Sequence, residues 1–164
     1  EQFKPLEESG SFHYLPDCQK YIVKDLMGIE IFEPNKSIIL KDFVKPTIDA
    51  GKVIEKFLEK LHNENPELSY LLVIEGNTAN TWDKSYDEDS DKGYRKSYER
   101  ALAVYELWDE NDIDLRQNED GERYNVEIML CGSGYNGLCR DDIEENNKRF
   151  SIQIIPKVKN RLDK

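Results

Sequence analysis

The residues best placed to do chemistry form a polar run directly after an apolar segment, residues 71–74. The run consists of Asn77, Thr78, Asn80 and Thr81. Gly76 precedes it and lets the backbone turn without a Cβ clash. Amides and hydroxyls at the end of a strand can converge on a polar ligand, such as a peptide or a sugar. They can also satisfy one another in an Asx or Ser/Thr turn, and the sequence leaves both roles open.

A second candidate is Arg100, which falls beside the apolar positions Tyr98 and Ala101 of a predicted helix. A guanidinium on the flank of that helix can make a forked pair of hydrogen bonds to a carboxylate, which lysine cannot do. The alternative is a solvated arginine paired with Glu99.

A third group opens the last predicted strand, where Asn147, Lys148 and Arg149 follow one another. These residues can serve the structure by orienting the strand end or by offsetting Glu144 and Glu145 nearby.

The periodicity of the chain predicts strands alternating with helices. Apolar residues recur at helical spacing over 47–62 and over 93–110, and a shorter helix is predicted over 141–146. The predicted strands cover residues 29–32, 68–75, 126–130 and 150–154. This alternation favours crossover connections and a mixed sheet with the helices packed on one face. We expect residues 1–28 to be an irregular lead-in.

These pieces, in this order, resemble the OmpA-like domain, the peptidoglycan-binding module of Gram-negative envelopes. The family motif Gly-His-Thr-Asp-Asn-Thr is similar to residues 76–81, and Ser97, Arg100 and Ala101 occupy family positions on the second helix. The resemblance covers residues 29–158, and residues 159–164 form a tail. It implies a two-layer α/β sandwich, with two long helices and one short helix on one face of a sheet of about four strands.

The resemblance also implies a non-enzymatic function, the capture of the peptide stem of peptidoglycan. Arg100 would bind the carboxylate of the stem's diamino acid, and Asn77, Thr78, Asn80 and Thr81 would add hydrogen bonds. Lys148 and Arg149 match a basic pair that the family places near its binding face, and Asn147 matches the asparagine before that pair, so Asn147 and Arg149 are also candidate ligand-binding residues. The implied location is the periplasm, with association to the outer membrane in the full-length protein.

The sequence departs from the family at Ala79, where the family has the aspartate that holds the amine of the diamino acid. An ammonium removed from water needs an anionic partner. One hypothesis is that Asp83 or Asp87 supplies the missing charge. The competing hypothesis is that wall binding has been lost and the scaffold serves as a protein-interaction module, with other envelope proteins as its partners.

The amino-acid composition limits the classes of molecule that this chain is expected to bind. The chain has 34 acidic and 23 basic residues and a net charge of -11, which disfavours nucleic acid and anionic lipid surfaces. No apolar window approaches the roughly 20 residues that span a bilayer. The segment beginning at Glu1 has no signal-peptide pattern, so we expect a piece whose start was trimmed. No cofactor is expected.

Cys131 and Cys139 flank a glycine-rich loop. They can form a disulfide in an oxidising compartment or remain two buried thiols. In both cases Cys18 is expected to stay free.

Enzymatic and metal-dependent functions find little support. Ser133 lacks the Gly-x-Ser-x-Gly elbow, and neither it nor Cys131 has a basic partner evident in the sequence, so we expect no hydrolase. Asp87, Asp89 and Asp91 superficially resemble a calcium loop. Their glycine and twelfth residue are out of register, so a solvated acidic loop is favoured over weak calcium binding.

Overall fold

The computed structural model describes residues 4–157, and the predicted tail, residues 159–164, lies outside them. The sheet has the order β1-β2-β5-β3-β4. Its strands are β1 (Phe12–Leu15), β2 (Lys20–Val23), β3 (Ser69–Gly76), β4 (Val126–Gly132) and β5 (Phe150–Lys157). The helices are α1 (Lys4–Glu8), α2 (Lys41–Glu64) and α3 (Asp91–Glu110), with 3-10 turns at Lys24–Leu26 and Glu144–Asn147. Strand β3 pairs in parallel with β4 and antiparallel with β5.

The α/β class, the mixed sheet and the two long helices agree with the sequence prediction. Within residues 4–157 the sheet has five strands rather than about four. The short helix is a 3-10 turn, Glu144–Asn147, and lies slightly later than the predicted span. Helix α2 begins at Lys41 and contains Pro46 in its interior, so the helix is longer than its apolar periodicity indicated. No helix within residues 4–157 combines the length and the apolar character needed to cross a membrane.

The first predicted strand, residues 29–32, is wrong. Ile31 and Phe32 are buried in the core, but this segment makes only an isolated bridge between Phe32 and Ile39. The hairpin of β1 and β2 supplies that side of the sheet instead, where Tyr21 pairs with Ile152 of β5. The predicted irregular lead-in therefore contains two strands. Each is only four residues long, too short for its alternation to stand out from the surrounding proline and glycine.

The core lies between the sheet and the long helices. Alternate residues of β3, Tyr70, Leu72 and Ile74, face the helices and are buried. Trp108 of α3 is fully buried, and its indole N–H donates to the carbonyl of Thr47 on α2 at 2.7 Å. This contact joins the two long helices.

Glycines at the ends of β3 and β4 let α3 approach the sheet closely. A Cβ on Gly76 would lie 1.8 Å from the carbonyl oxygen of Ser97, and one on Gly132 would lie 2.3 Å from the Ser97 hydroxyl. Both distances are far inside van der Waals contact. Close packing of backbone on backbone, rather than a special turn conformation, is the reason for glycine here. It also brings Arg100, one turn further along α3, to the end of the sheet.

The disulfide joins Cys18 to Cys139, with 6.3 Å between their Cα atoms, and Cys131 is a half-buried free thiol. The sequence left open a Cys131–Cys139 bridge or two buried thiols, and neither alternative is right, because Cys139 is bonded to Cys18; the expectation that Cys18 stays free is wrong. Cys18 lies in the turn between β1 and β2, and Gln153 of β5 donates to its carbonyl at 3.3 Å. The correct pairing depends on this hairpin, which the sequence pattern did not show.

Candidate functional site

A cleft of about 290 Å³ opens beside the loop that follows β3. Thr78, Ala79, Asn80 and Thr81 form one wall, and α3 contributes Arg100 to the other. We call this space the Arg100 cleft. The structure thus brings together the strand-end loop and the helix arginine, which lie about 20 residues apart in the sequence.

Arg100 is almost completely buried, with 1% of its surface exposed. Its Nε donates to the carbonyl of Lys36 at 3.1 Å, Nη1 to that of Asn77 at 3.0 Å, and Nη2 to that of Glu33 at 3.4 Å. The guanidinium also lies 5.1 Å from the centre of the Phe32 ring. A guanidinium has five N–H groups, so two remain without an acceptor among the described residues.

No carboxylate within residues 4–157 lies at ion-pair distance from Arg100. Burial lowers its pKa from 12.5 to about 10, and the more distant charges of Tyr135, Glu30 and Glu99 oppose that shift. Arg100 therefore remains cationic at neutral pH. A buried cation that lacks a counterion is costly, and an anion entering the cleft would relieve that cost.

Further cations surround the same space. Lys92, Lys96 and Lys148 also line the Arg100 cleft. Lys96 pairs with Glu99, and Lys148 pairs with Glu30, but neither acid lines the cleft. The arrangement concentrates positive charge in one recess of an acidic protein, and this favours a ligand with more than one anionic group.

One acid belongs to the lining, the exposed Glu145. The hypothesis that Asp83 or Asp87 replaces the family aspartate is not supported, because neither lines the cleft. The Asp83 carboxylate accepts a hydrogen bond from the Thr81 hydroxyl at 2.6 Å, which lowers its pKa. Asp87 accepts one from the amide of Asp89 at 3.0 Å.

The polar side chains of the strand-end loop mainly hold the loop itself. The Thr78 hydroxyl donates to the carbonyl of Gly93 at 3.3 Å. The side-chain oxygen of Asn80 accepts from the amides of Thr81 and Tyr86, at 2.8 Å and 3.0 Å. These hydrogen bonds fix the conformation of the loop, as expected for an Asx or Ser/Thr turn.

Asn77 is buried and reaches the site through its main-chain carbonyl, which binds Arg100. Its side-chain oxygen accepts from the Ser133 hydroxyl at 2.7 Å. This places its amide on the inner side of the loop, away from the cleft lining.

Asn147 and Arg149 lie behind the cleft, while Lys148 between them lines it. The side chain of Asn147 accepts from the amide of Asp141 at 2.8 Å and donates to its carbonyl at 3.1 Å. Arg149 donates to the carbonyl of Cys139, and its Nε has no partner within the described chain. Burial lowers the pKa of Arg149.

An ion pair supports the back of the loop. Arg140 donates to the carbonyl of Thr78 at 2.9 Å and pairs with the buried Glu144. The Glu144 carboxylate also accepts from the amide of Asn80 at 2.8 Å. Together they attach the strand-end loop to the segment that precedes β5.

The acidic segment of residues 87–91 lies at the start of α3. Among the residues that the structure describes, no three His, Cys, Asp or Glu side chains are arranged to hold a metal ion. Asp87 and Asp89 belong to the loop before α3, and Asp91 begins that helix.

Sequence analysis missed several residues of the lining. Lys92 and Lys96 precede Arg100 at intervals of four residues, so all three lie along one side of α3. This spacing was a signal that could have found them. Trp82, Tyr135 and Glu145 carried no comparable pattern, because separate segments bring them to the cleft.

No protein-family model matches this chain. Among solved structures, the periplasmic domain of Helicobacter pylori MotB aligns with a TM-score of 0.50 and 15% identity, covering 90% of this chain and 85% of that one. A crystal form of the C-terminal domain of the same protein gives 0.49 and 16%, covering 79% and 86%. The OmpA-like domain of FopA1 from Francisella tularensis gives 0.45 and 15%, covering 88% and 77%. The predicted OmpA-like fold is confirmed.

Among curated proteins, a segment of human tyrosine-protein phosphatase non-receptor type 23 aligns with 23% identity over 144 residues. The alignment covers 79% of this chain and 8% of that protein's length. At this identity and coverage, the match carries no conclusion about activity.

Proposed function

We propose that this chain is a non-enzymatic module of the cell envelope that binds the peptide stem of peptidoglycan and anchors its carrier to the wall. The observation that carries the proposal is Arg100, a buried guanidinium without a carboxylate partner at the edge of an open cleft. The fold shared with a periplasmic domain of MotB is consistent with a periplasmic location. Association with the outer membrane belongs to the same proposal.

In this proposal a ligand carboxylate accepts the two N–H groups of Arg100 that the protein leaves unused. Thr78, Asn80 and Thr81 form the wall against which the peptide lies, and Asn77 holds Arg100 in place through its carbonyl. Stem peptides carry several carboxylates, which Lys92, Lys96 and Lys148 can meet.

Glu145 is the residue that we propose for the amine of the diamino acid. It is the acid of the cleft lining, and no ion pair within the described chain occupies its carboxylate. Asn147 and Arg149 then act indirectly, by ordering the segment that carries Glu145 and Lys148.

The test is calorimetric titration with a wall tripeptide that ends in diaminopimelate. We expect saturable binding that falls at least tenfold in Arg100→Lys, because lysine cannot reproduce the forked contact. The matched control is Arg95→Lys, which changes an exposed arginine of the same helix outside the cleft and should leave affinity unchanged. Absence of binding by the wild type at millimolar peptide would overturn the proposal.

The proposed role of Glu145 has its own test. Glu145→Gln should weaken binding of the diaminopimelate peptide several-fold, but it should not weaken binding of an analogue that lacks the side-chain amine. Equal losses for both ligands would assign Glu145 a structural role.

A protein-interaction module is the second candidate, and one observation favours it. On the sheet face opposite the long helices, Met129 and Ile155 are 45% and 42% exposed and flank Leu71 and Val73 of β3. A Met129→Glu variant should keep its affinity for the wall peptide. Loss of envelope retention in that variant would show that this apolar face carries function.

A further inference from the structure

The most exposed large apolar side chain among those described belongs to Trp82, which is 85% exposed and lines the Arg100 cleft. The second tryptophan, Trp108, is 1% exposed and lies in the core. Single exposed apolar residues are common on protein surfaces. Trp82 differs because it stands at the mouth of the cleft that holds an unpaired buried cation.

The turn that carries Trp82 is firmly held. The amide of Lys84 donates to the carbonyl of Thr81 at 2.9 Å, and the amide of Ser85 donates to the Thr81 hydroxyl at 2.8 Å. The same hydroxyl bonds to Asp83 at 2.6 Å. The indole is therefore presented by an ordered backbone, which lowers the entropy lost when a ligand packs on it.

The surroundings of Trp82 favour a sugar over a lipid or a large protein surface. Pro34 and Asn35 also line the cleft and are exposed. The side-chain amide of Asn35 makes no hydrogen bond within the described chain. An indole face packs well on the C–H groups of a sugar ring, while an amide can exchange hydrogen bonds with hydroxyl or acetamido groups. A lipid surface would need a wider apolar patch, and the net charge of -11 opposes anionic membranes.

The size of the cleft is consistent with a two-part ligand. Its volume of about 290 Å³ lies at the lower end of the range for small-molecule sites. That space suits the charged end of a peptide, and a sugar ring would have to lie outside, at the rim. Trp82 provides a flat surface there.

We propose that Trp82 is a stacking platform for the sugar to which the stem peptide is attached, so that the recognised unit is an N-acetylmuramyl peptide rather than a free peptide. This inference rests on the proposed wall-binding function. Arg100 fixes the peptide carboxylate inside the cleft, and Trp82 packs on the sugar at its mouth.

The experiment compares two ligands on three proteins. The ligands are the free diaminopimelate tripeptide and the same peptide carrying N-acetylmuramic acid, and the proteins are the wild type, Trp82→Ala and Trp82→Tyr. For the wild type we expect the sugar to tighten binding about five-fold, as a single stacking contact of about 1 kcal/mol would give. Trp82→Ala should lose this increment, so that it binds the two ligands with similar affinity, and Trp82→Tyr should keep part of it.

Tryptophan emission gives an independent readout. The muramyl peptide should shift the emission of Trp82, and the free peptide should change it little. In Trp82→Tyr the remaining signal comes from the buried Trp108 and should respond to neither ligand.

The outcomes separate the two proposals. An equal sugar increment in wild type and Trp82→Ala would overturn the role of Trp82 and leave peptide binding intact. Binding of neither ligand would overturn both proposals. Binding of the muramyl peptide alone, abolished in Trp82→Ala, would support the platform and reject recognition of the free peptide.

Discussion

The loops that follow β3 and β4 leave the same end of the sheet, yet they are held in different ways. The loop after β3 is held by hydrogen bonds, including those made by Asn80 and Thr81. One side of this loop lines the cleft. The loop after β4 is held covalently through Cys139, which joins it to the N-terminal hairpin. The loop after β3 forms one wall of the cleft, whereas the loop after β4 contributes Tyr135 to the lining and is fixed covalently to the N-terminal hairpin.

The two candidate arginines show the same contrast. Arg100 and Arg149 are both largely removed from water, and burial lowers the pKa of each. Arg100 lines a cleft and has N–H groups to spare, whereas Arg149 lies behind it and donates to the carbonyl of Cys139. Burial of a cation therefore does not by itself identify a binding site. The additional requirement is an opening through which an anion can reach it.

The largest expected effect comes from opening the disulfide. The bridge closes a loop across 121 residues. A chain-entropy model gives a stabilisation of about 5 kcal/mol for a loop of this size, so the Cys18→Ser/Cys139→Ser double variant should lose about that much unfolding free energy in urea titration. Cys131→Ser, which removes the free thiol, is the control and should change stability by less than about 1 kcal/mol. Similar losses in both variants would contradict the assigned pairing.

The next effect tests the close packing of the β3 end on α3. Gly76→Ala places a methyl group against the carbonyl oxygen of Ser97, which is backbone and cannot rotate away. We expect a loss of about 3 kcal/mol in thermal or urea unfolding. In Gly93→Ala the new methyl group meets the ring of Tyr135, a side chain that can move, so the loss should be smaller. A neutral Gly76→Ala would show that α3 lies further from the sheet end than described.

Replacing each arginine by methionine compares the two buried cations directly. Arg100→Met leaves the carbonyls of Lys36 and Asn77 without a donor, while the carbonyl of Glu33 keeps a bond from the amide of Lys36, and we expect a loss of about 2 kcal/mol. Arg149→Met removes a bond to one carbonyl and also an unpaired Nε, so the expected loss is about 1 kcal/mol or less. Wall-peptide affinity should fall only in Arg100→Met. A larger binding defect in Arg149→Met would reverse the assignment.

The smallest effect is a pH dependence of binding. The pKa of Arg100 is lowered to about 10, so the cation that binds the carboxylate is present below that pH and is lost above it. Affinity for an amine-free carboxylate peptide should be constant from pH 7 to about 9 and should fall between pH 10 and 11. Burial raises the pKa of Tyr21 and Tyr124 from 10 to about 12, so the stability that their neutral forms contribute is fully present below pH 10 and is lost between pH 10 and 12; the fold must therefore be monitored over this range. Unchanged affinity at pH 11, with the fold intact, would argue against Arg100 as the anion site.

Local patterns explain which parts of the molecule could be predicted. The apolar run before Gly76 and the helical periodicity leading to Arg100 are continuous signals, and they identified β3, α3 and the contact between them. Helical periodicity over residues 47–62 likewise predicted most of α2. The β1–β2 hairpin was missed because each strand has only four residues and gains its pairing from β5, more than 100 residues away.

Local sequence patterns also could not predict which residues line the cleft. Glu145 and Lys148 come from the segment before β5, and Trp82 comes from the loop before α3. The correct cysteine pair likewise joins two distant segments.

The sequence by itself determined the α/β fold class, the positions of the long helices and three strands, and the placement of Arg100 beside the strand-end loop. These features follow from the short-range periodicity of apolar and polar residues. Only the tertiary structure decided which cations and which acid share the Arg100 cleft, that the loop's polar side chains mainly brace the loop, and that Cys18 pairs with Cys139. Those outcomes depend on contacts between segments far apart in the chain, whose geometry is set by packing of the whole domain.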